Sequence, residues 1–381
     1  MSTFEFATAN RIIFGAGKLN GLADQLAGRA KRVLLVCGNS SDAIPRVREI
    51  LSAHEIPFDE FHVRGEPTVA TASEGADLAL QHGCDLVIGL GGGSVLDAGK
   101  AIAALTTNRG DVFDYLEVIG KGRPLTNAPL TYIAIPTTAG TGAEVTRNAV
   151  LGSPAHGVKV SLRSPMMLPT IALVDPELTY SLPPAITASS GLDALTQVIE
   201  PFVSIKANPM TDAICRAGIR YAAKSLRLAY QTGTDASARE GMALASLFGG
   251  LALANAALGA VHGFAGPLGG MLQAPHGALC AKLLPLVMEA NIKALTGHAA
   301  IERYDEIARI VTGDQTASAQ DGVQWVSDLV RELNIPSLSA HGMNEAHIPE
   351  AVQKTLNAGS YKGNPIALSE GELREILEKA L

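Results

Sequence analysis

Short strand-like segments, most of them apolar, recur through the first half of the chain and constrain its fold more than any other feature of the sequence. They are RVLLVCG (32–38), FDEFHV (58–63), CDLVIGL (84–90), TYIAIP (131–136) and IALVDP (171–176). Helical spacing follows the first of them through Val47, Ile50 and Leu51, and a further amphipathic helix is predicted around 72–82. Apolar strands that alternate with helices are typical of a parallel sheet covered on both faces, whose ligands bind at the carboxyl ends of the strands.

The sequence changes character after Pro183 and Pro184. Strand-like segments end there, and Ala- and Leu-rich helical patterns continue to the C-terminus. A single hydrophobic core seldom extends beyond about 250–300 residues, so a chain of 381 residues is expected to form two domains. We therefore predict an α/β domain over 1–180 and an all-helical domain over 181–381.

Charge and cysteine content argue against several classes of function. The net charge of −7 is modest and evenly mixed, and without a basic stripe no nucleic-acid partner is predicted. The four cysteines show no CxxC spacing and are expected to be reduced thiols in a cytoplasmic protein. The segment MSTFEFATANRIIFG lacks a basic region followed by an apolar one, so no secretory signal is predicted.

One long apolar segment raises the question of a membrane span. No Lys, Arg, Asp or Glu lies between Gly241 and Pro275, and about 20 apolar residues are enough to cross a bilayer. The segment nevertheless contains Ser246, Asn255, His262 and many glycines, and it has no aromatic belt or basic cluster at its flanks. We predict a helix that is buried within the helical domain, and no membrane partner.

The segment GLGGGSVLDAGK (89–100) follows a predicted strand and opens a predicted helix. Glycines let a ligand approach the backbone closely, and a helix N-terminus offers free N–H groups to a phosphate. Ser94 and Asp97 resemble a capping box, which predicts that the helix begins near residue 94. Neither GxGxxG nor the P-loop pattern fits, since both require glycine in place of Ser94. We predict a phosphate-binding loop of another type; a tight turn without a ligand is the alternative.

Two further loops bear on the ligand. The loop PTTAGTGAEVT (136–146) is rich in hydroxyl groups and glycine, and together with 89–100 at one sheet edge it favours a dinucleotide. The loop Gly38-Asn39-Ser40-Ser41 after the first predicted strand has no acidic residue before Asp42. An acid there would bind the ribose 2′-hydroxyl and repel a 2′-phosphate, so the sequence favours NADP over NAD. The alternative is that these residues only turn the chain.

Three polar side chains in the apolar second half form a candidate metal site: Asp193, His262 and His276. Asp193 and Gln197 are four residues apart in the helical segment GLDALTQVIEPF and share one helix face. Both histidines lie at Gly/Pro-rich breaks of the helical pattern. Carboxylate oxygen and imidazole nitrogen suit Zn²⁺, Fe²⁺ or Co²⁺, and three protein ligands leave a position open for catalysis. The alternative is that the histidines are hydrogen-bonded core residues without a metal.

With these motifs the chain resembles the iron-containing (group III) alcohol dehydrogenase family over nearly its whole length. The family patterns GGGSxxDxxK and PTTAGTGSE correspond to 91–100 and 136–144, with Ala143 in place of the serine. The pattern DALxHxxE corresponds to 193–200, and HGxAHPLG followed by PHG corresponds to 262–269 and 275–277. The resemblance implies a dehydroquinate synthase-like architecture with a dinucleotide-binding N-terminal domain, a helical C-terminal domain and a cleft between them.

The resemblance also implies specific site residues. It places phosphate contacts on Gly91, Gly92, Gly93 and Ser94, and further cofactor contacts on Thr137, Thr138, Thr146, Asn148 and Lys159. These residues, with Asp97 of the same motif and the loop residues Gly38, Asn39 and Ser40, are the predicted cofactor-binding set. A divalent metal, zinc or iron, is placed on Asp193, His262 and His276, which are the predicted catalytic residues, with Gln197 as a further candidate ligand.

Two positions depart from the family pattern. Gln197 stands where the family has a fourth ligand histidine, and its neutral amide oxygen is a weaker ligand, which makes iron less certain and zinc more plausible. Gly266 stands where the family has a histidine that contacts substrate or relays protons, so an acid/base group is lost and space is opened. Related glycerol dehydrogenases and dehydroquinate synthases bind zinc through three protein ligands, so Gln197 does not exclude a metal.

These features predict an NAD(P)-dependent alcohol dehydrogenase or aldehyde reductase that acts on a small-molecule alcohol or aldehyde and forms a homodimer or larger homo-oligomer. A metal-independent keto-acid reductase similar to maleylacetate reductases is the alternative, with Lys159 and Arg163 as substrate-binding cations. A dehydroquinate synthase-like lyase would need several cations near the cleft motifs, which the sequence does not show. A non-catalytic binding protein with a decayed site is the remaining alternative.

Overall fold

The computed structural model describes residues 3–38 and 41–381. They form two compact units. The α/β unit comprises 7–138 and 142–181, and the helical unit comprises 182–381 together with 3–6 and 139–141. The chain passes for the last time from the α/β unit to the helical unit between Ser181 and Leu182. Residues 139–141 are grouped with the helices, and this divides a loop that the sequence analysis assigned wholly to the first domain.

The α/β unit is built on a six-stranded parallel sheet. Its strands are β1 (Arg11–Phe14), β2 (Val33–Cys37), β3 (Phe58–His62), β4 (Leu86–Gly91), β5 (Thr131–Pro136) and β8 (Ile171–Val174), in the order β1-β8-β5-β4-β2-β3. Two other strands, β6 (Asn148–Ser153) and β7 (Val158–Arg163), form a separate antiparallel hairpin. The helices of this unit are α1 (Leu22–Leu26), α2 (Ala43–Ala53), α3 (Val69–Gln81) and α4 (Gly93–Thr107).

Alternate side chains of the central strands enter two different hydrophobic clusters. Leu35 of β2 belongs to a cluster that includes Val47 of α2. Its neighbour Leu34 belongs to a second cluster that includes Ile102 of α4. Successive strand side chains point to opposite faces, so a strand covered on both faces must be apolar throughout. This requirement is why these strands are recognisable in the sequence.

All five strands predicted from apolar segments are confirmed, and so is their parallel arrangement. Helices α2 and α3 lie where helical spacing predicts them. Strand β1 and the β6–β7 hairpin were not predicted. Strand β1 has only four residues and is partly exposed, and β6 alternates buried with partly exposed positions, so neither presents a continuous apolar segment.

The helical unit contains nine α-helices and no strand within 182–381, a stretch that the structure describes completely. They are α5 (Pro184–Val203), α6 (Pro209–Gln231), α7 (Ala236–Ala256), α8 (Ala260–Leu272), α9 (His276–Ala294), α10 (Ile301–Thr312), α11 (Ala319–Glu332), α12 (Ile348–Asn357) and α13 (Glu370–Ala380). Helix α5 packs against α6, α7 and α9, and 15 of its 20 residues are buried. The polar side chains of α5 therefore lie inside the unit, where each needs a partner.

The long uncharged segment forms two helices rather than the single helix that the sequence predicts. Among the described residues no single helix is long and apolar enough to span a bilayer, whereas α7 and α8 together reach that length and composition but meet at an angle of 100°. Ala257 lies at the break with a φ of 59°. Many residues of both helices are buried, as the sequence predicts. The break places the N-terminus of α8, and with it His262, deep in the helical unit.

Candidate active site

The glycine loop lies at the carboxyl end of β4 in the α/β unit. The strand ends at Gly91, Gly92 is the N-cap of α4, and the helix begins at Gly93. A Cβ atom at Gly91 would lie 2.6 Å from Cγ2 of Val95, and one at Gly92 would lie 3.2 Å from Cγ2 of Thr138. A side chain at Gly91 would therefore collide with Val95 and one at Gly92 would crowd Thr138, whereas the first turn of α4 presents its N–H groups there. This geometry suits a phosphate.

The capping box predicted for Ser94 and Asp97 is wrong. The N-cap of α4 is Gly92, which offers no side chain, and the helix begins one residue earlier than predicted. The carboxylate of Asp97 instead accepts a hydrogen bond from the backbone N–H of Val150 at 3.0 Å and lies 3.1 Å from Nζ of Lys100. Burial raises the pKa of Asp97, although the charge of Lys100 opposes the shift. In the structure Asp97 thus ties α4 to strand β6.

The second loop lies beside the first, as predicted. Strands β4 and β5 are parallel neighbours, and the N–H of Thr137 donates to the carbonyl oxygen of Gly91 at 2.9 Å. The buried ammonium of Lys100 donates to the carbonyl oxygens of Ala143 and Asn148 and to Oγ1 of Thr146. Its three protons are therefore used to hold the loop, and the side chain of Lys100 is not free to bind a ligand.

The remaining predicted cofactor residues are spread along the same unit. Gly38 follows β2, and a Cβ atom there would lie 3.8 Å from Cγ2 of Val95 in α4. Asn39 and Ser40 lie outside the described residues. Lys159 of β7 is paired with Glu66 at 3.4 Å, and Arg163 is paired with Glu117 at 3.1 Å. Both cations named for a keto-acid substrate thus face carboxylates.

The structure brings the three predicted metal-site residues together in the helical unit. Helix α5 supplies Asp193, α8 supplies His262, and α9 begins with His276. Oδ1 of Asp193 lies 3.4 Å from Nε2 of His262 and 4.0 Å from Nε2 of His276. Asp193 and His262 are buried, whereas the side chain of His276 is one-third exposed. The pocket therefore has buried walls and one side chain that reaches solvent.

Glu200 orients one of the two imidazoles. One carboxylate oxygen accepts from the backbone N–H of Val261 at 2.7 Å, in the first turn of α8, and the other lies 2.6 Å from Nδ1 of His262. A carboxylate only accepts hydrogen bonds, so the proton of this pair is assigned to Nδ1 of His262. When His262 gives up its second proton, Nε2 presents its lone pair toward Asp193, which is the arrangement of a histidine that ligates a metal.

Two buried oxygen atoms in the pocket have no hydrogen-bond partner, namely Oδ1 of Asp193 and Oε1 of Gln197. They lie one helical turn apart on α5. The Gln197 amide nitrogen donates to the carbonyl oxygen of Gly140 at 3.0 Å, which fixes the amide oxygen as the unsatisfied atom. A buried acceptor without a partner costs about 1–3 kcal/mol. A cation beside the two imidazoles would satisfy Oδ1 of Asp193, so the pocket fits a divalent metal.

Comparison with known proteins agrees with this architecture. A sequence profile described as iron-containing alcohol dehydrogenase matches 9–176, and the profile of the C-terminal region of that family matches 187–381. The chain is 34% identical to alcohol dehydrogenase 4 of Saccharomyces cerevisiae, over 96% of each chain. It is 33% identical to choline dehydrogenase of Bacillus subtilis, over 97% of this chain and 92% of that one. A crystal structure of 1,3-propanediol oxidoreductase matches all of both chains at 32% identity with a TM-score of 0.93.

This chain belongs to the iron-containing alcohol dehydrogenase family. The resemblance found in the motifs and the predicted fold class are confirmed. The protein is an oxidoreductase that acts on CH–OH groups, in a family that uses NAD(P) and iron or another divalent metal.

One side chain beside the pocket of this iron-containing alcohol dehydrogenase was not among the predicted site residues. Sγ of Cys280 lies 3.6 Å from Nε2 of His276, and the ligand atoms of Asp193, His262, His276 and Cys280 all lie within 4.8 Å of one another. Cys280 is buried and follows His276 by four residues, so both lie on one face of α9. That spacing was visible in the sequence, but Cys280 stands among apolar residues and was considered only as one of four reduced thiols.

The ionisable groups of the pocket shift one another's pKa values. Burial opposes ionisation of Asp193, but the nearby imidazoles of His262 and His276 outweigh it and hold the pKa of Asp193 below its usual value. Burial also lowers the pKa of His262, but Cys280, Asp193 and Glu200 raise it well above the usual value. Burial raises the pKa of the Cys280 thiol to about 12. A metal must displace the proton on His262, so its affinity falls as the pH falls.

Proposed function

We propose that this enzyme is a metal-dependent alcohol dehydrogenase or aldehyde reductase in which Asp193, His262 and His276 hold a divalent ion. The observation that supports it most directly is the buried Oδ1 of Asp193, which has no hydrogen-bond partner and lies near Nε2 of both histidines. A bound zinc or iron ion supplies a Lewis acid that polarises the oxygen of the alcohol or aldehyde, which is typically worth several kcal/mol of the barrier.

The side chains around the pocket prepare it for that role. Glu200 holds His262 in one tautomer and one orientation, so little reorganisation is needed when a ligand binds. Gln197 offers a neutral oxygen, and its amide nitrogen is held by Gly140. A Cβ atom at Gly266 would meet no heavy atom within 4 Å, so that position leaves open space and no acid/base group. We expect water or the cofactor ribose to exchange the alcohol proton.

The glycine loop is the proposed binding site for the cofactor pyrophosphate. Gly91 and Gly92 exclude side chains, and the N-terminus of α4 offers N–H groups and a partial positive charge. Thr137 and Thr138 lie next to this loop and supply hydroxyl groups. The nicotinamide ring supplies or accepts the hydride. The remaining contacts proposed for the cofactor are those of Ser94, Asp97, Thr146, Asn148 and Lys159.

The preferred cofactor is proposed to be NADP rather than NAD. The support is the loop after β2, which carries small neutral residues and no acid before Asp42. The measurement is the ratio of kcat/KM for NADPH over NADH in the wild type and in Asn39→Asp. We expect the wild type to favour NADPH and the variant to shift toward NADH, because the new carboxylate repels a 2′-phosphate. A wild type that prefers NADH contradicts this assignment.

Metal dependence is tested by depletion and reconstitution. We expect dialysis against a chelator to abolish aldehyde reduction and added Zn²⁺ or Fe²⁺ to restore it. Cofactor binding, measured by fluorescence of NADPH, should survive depletion because the glycine loop contains no metal ligand. Full activity in protein shown to be metal-free by elemental analysis would contradict the proposal.

The substrates are proposed to be small-molecule alcohols and the corresponding aldehydes, and the space at Gly266 admits bulky ones. A panel of linear, branched and aromatic alcohols tests this, with the wild type compared with Gly266→His. We expect the variant to lose bulky substrates first. The enzyme is also proposed to be a cytoplasmic homodimer or larger homo-oligomer, which light scattering of the purified chain would check.

A further inference from the structure

Cys280 occupies the position of a fourth ligand in the metal pocket. Helix α9 carries His276 in its first turn and Cys280 one turn later, so both side chains point the same way. Sγ of Cys280 lies within 4.8 Å of the ligand atoms of Asp193, His262 and His276. The thiol is completely buried. It therefore reaches the pocket from inside the protein and leaves the side near His276 open, where the substrate oxygen would be a fifth ligand of the ion.

Two of the distances between these atoms match the spacing of neighbouring ligands around one zinc ion. With Zn–S of about 2.3 Å and Zn–N of about 2.05 Å, a sulfur and a nitrogen ligand lie about 3.6 Å apart, and an oxygen and a nitrogen ligand about 3.4 Å apart. The observed distances are 3.6 Å from Sγ of Cys280 to Nε2 of His276 and 3.4 Å from Oδ1 of Asp193 to Nε2 of His262. The 4.0 Å between Asp193 and His276 is longer than this ideal and would shorten slightly around an ion.

A second observation at the same place also indicates a ligand. Oδ1 of Asp193 belongs to a side chain that is only 2% exposed, and it has no hydrogen-bond partner. This oxygen, Sγ of Cys280 and the ligand nitrogens of the two imidazoles all lie within 4.8 Å of one another. The cluster therefore contains two groups that can be anionic, and two histidines that can bind through neutral nitrogen.

We propose that the thiolate of Cys280 is a protein ligand of the metal ion, together with Asp193, His262 and His276, and that it makes the site selective for zinc over iron. The proposal rests on the proposed function of this pocket. On binding, the Cys280 S–H bond breaks, a metal–sulfur bond forms, and the proton passes to solvent. Asp193 and Cys280 then carry two negative charges, which balance a divalent ion, and a soft thiolate favours Zn²⁺ over the harder Fe²⁺. The substitution Cys280→Ala removes both the second negative charge and the preference for zinc.

Cobalt is the probe that reports a thiolate ligand directly. The metal-depleted full-length protein is titrated with Co²⁺, and the near-ultraviolet thiolate-to-cobalt charge-transfer band is recorded beside the cobalt content of the protein. The variants are Cys280→Ala and, as a matched control, Cys215→Ala, which removes an equally buried thiol of the same helical unit. We expect the band in the wild type and in the control, and its loss in Cys280→Ala with cobalt still bound. Zinc retention against a chelator should fall at least about tenfold in Cys280→Ala, since even outer partners of metal ligands contribute about 10–100-fold.

The outcomes separate this proposal from the proposed function. Cobalt bound without the band, or a band that persists in Cys280→Ala, overturns the role of Cys280 and leaves the three-ligand site intact. Protein that binds no cobalt overturns both. If Cys280→Ala does not fold, X-ray absorption of the zinc-loaded wild type decides: a sulfur neighbour at about 2.3 Å supports the proposal. A shell of nitrogen and oxygen alone overturns it.

Discussion

The glycine loop and the metal pocket are built in opposite ways. Beside the loop the ammonium of Lys100 is fully used, because Nζ donates to the carbonyl oxygens of Ala143 and Asn148 and to Oγ1 of Thr146. In the pocket Oδ1 of Asp193 has no hydrogen-bond partner, and its nearest imidazole nitrogens lie at 3.4 and 4.0 Å. The loop thus offers backbone to a ligand, whereas the pocket offers side chains. Substitutions of side chains in the pocket should therefore strongly lower metal binding and activity. Substitutions that add a Cβ atom to the loop should instead weaken cofactor binding.

The largest effect is expected from Asp193→Asn. A neutral amide cannot balance a divalent charge, so metal content should fall and kcat/KM should drop by at least about 10²–10³-fold, the usual result of losing a main source of transition-state charge stabilisation. Steady-state kinetics and elemental analysis measure this. Asp235→Asn is the matched control, because Asp235 caps α7 and asparagine caps a helix equally well. Normal metal content with unchanged kcat/KM in Asp193→Asn would overturn the comparison.

A smaller effect is expected from Glu200→Gln. The carboxylate accepts from both Val261 and His262, and an amide can replace only one of these acceptors. His262 loses its fixed tautomer, and metal affinity should fall by about 10–100-fold. Competition with a chromogenic chelator measures the affinity. Glu289→Gln, which alters a half-exposed carboxylate paired with Lys379, should leave it unchanged.

On the loop, Gly92→Ala should weaken cofactor binding and spare the metal. The new Cβ atom would lie 3.2 Å from the side chain of Thr138 and would occupy the space over which a phosphate approaches the backbone. We expect the Kd for NADPH to rise about tenfold, or about 1.4 kcal/mol. Gly21→Ala is the control, since a Cβ atom there meets no heavy atom within 4 Å. A variant that binds cofactor normally but loses metal would reverse the roles assigned to the two regions.

The last expected effect concerns stability rather than activity and involves a buried carboxyl of the second loop. Burial raises the pKa of Glu144 from 4.5 to about 7. The folded state therefore holds a proton that the unfolded chain releases, and stability falls as the pH rises from about 4.5 to about 7, by at most about 3–4 kcal/mol at about 1.4 kcal/mol per pKa unit. Urea unfolding at about pH 5 and about pH 8 should show this decline in the wild type and a weaker one in Glu144→Gln. Equal declines in both proteins would mean that Glu144 does not titrate in this range.

Strands and site residues with a regular apolar pattern around them could be recognised in the sequence, whereas features that depend on tertiary packing could not. The apolar segments of β2 and β4 are long enough to be read directly, and the spacing of Asp193, His262 and His276 among apolar residues identified the pocket. The hairpin β6–β7 was missed because its alternating pattern is short. The capping box at Ser94 was predicted wrongly because the carboxylate of Asp97 instead accepts a hydrogen bond from the backbone N–H of Val150, which lies far away in the sequence.

Cys280 shows the same limit at the site itself. Its spacing from His276 was available, but a cysteine between Leu279 and Ala281 is also what a buried helix contains. Only the structure shows that the thiol faces Asp193 and the two imidazoles rather than the surrounding leucines. The position of the Cys280 thiol therefore depends on which face of α9 turns toward α5, and that orientation is decided by the packing of the whole helical unit.

The central claim is that one ion binds between Asp193, His262 and His276, and anomalous X-ray diffraction from crystals of the zinc-loaded enzyme tests it most directly. We predict a peak at the zinc edge within bonding distance, about 2.0–2.2 Å, of Oδ1 of Asp193 and Nε2 of both histidines. Crystals of fully active enzyme without a peak in this pocket would contradict the claim.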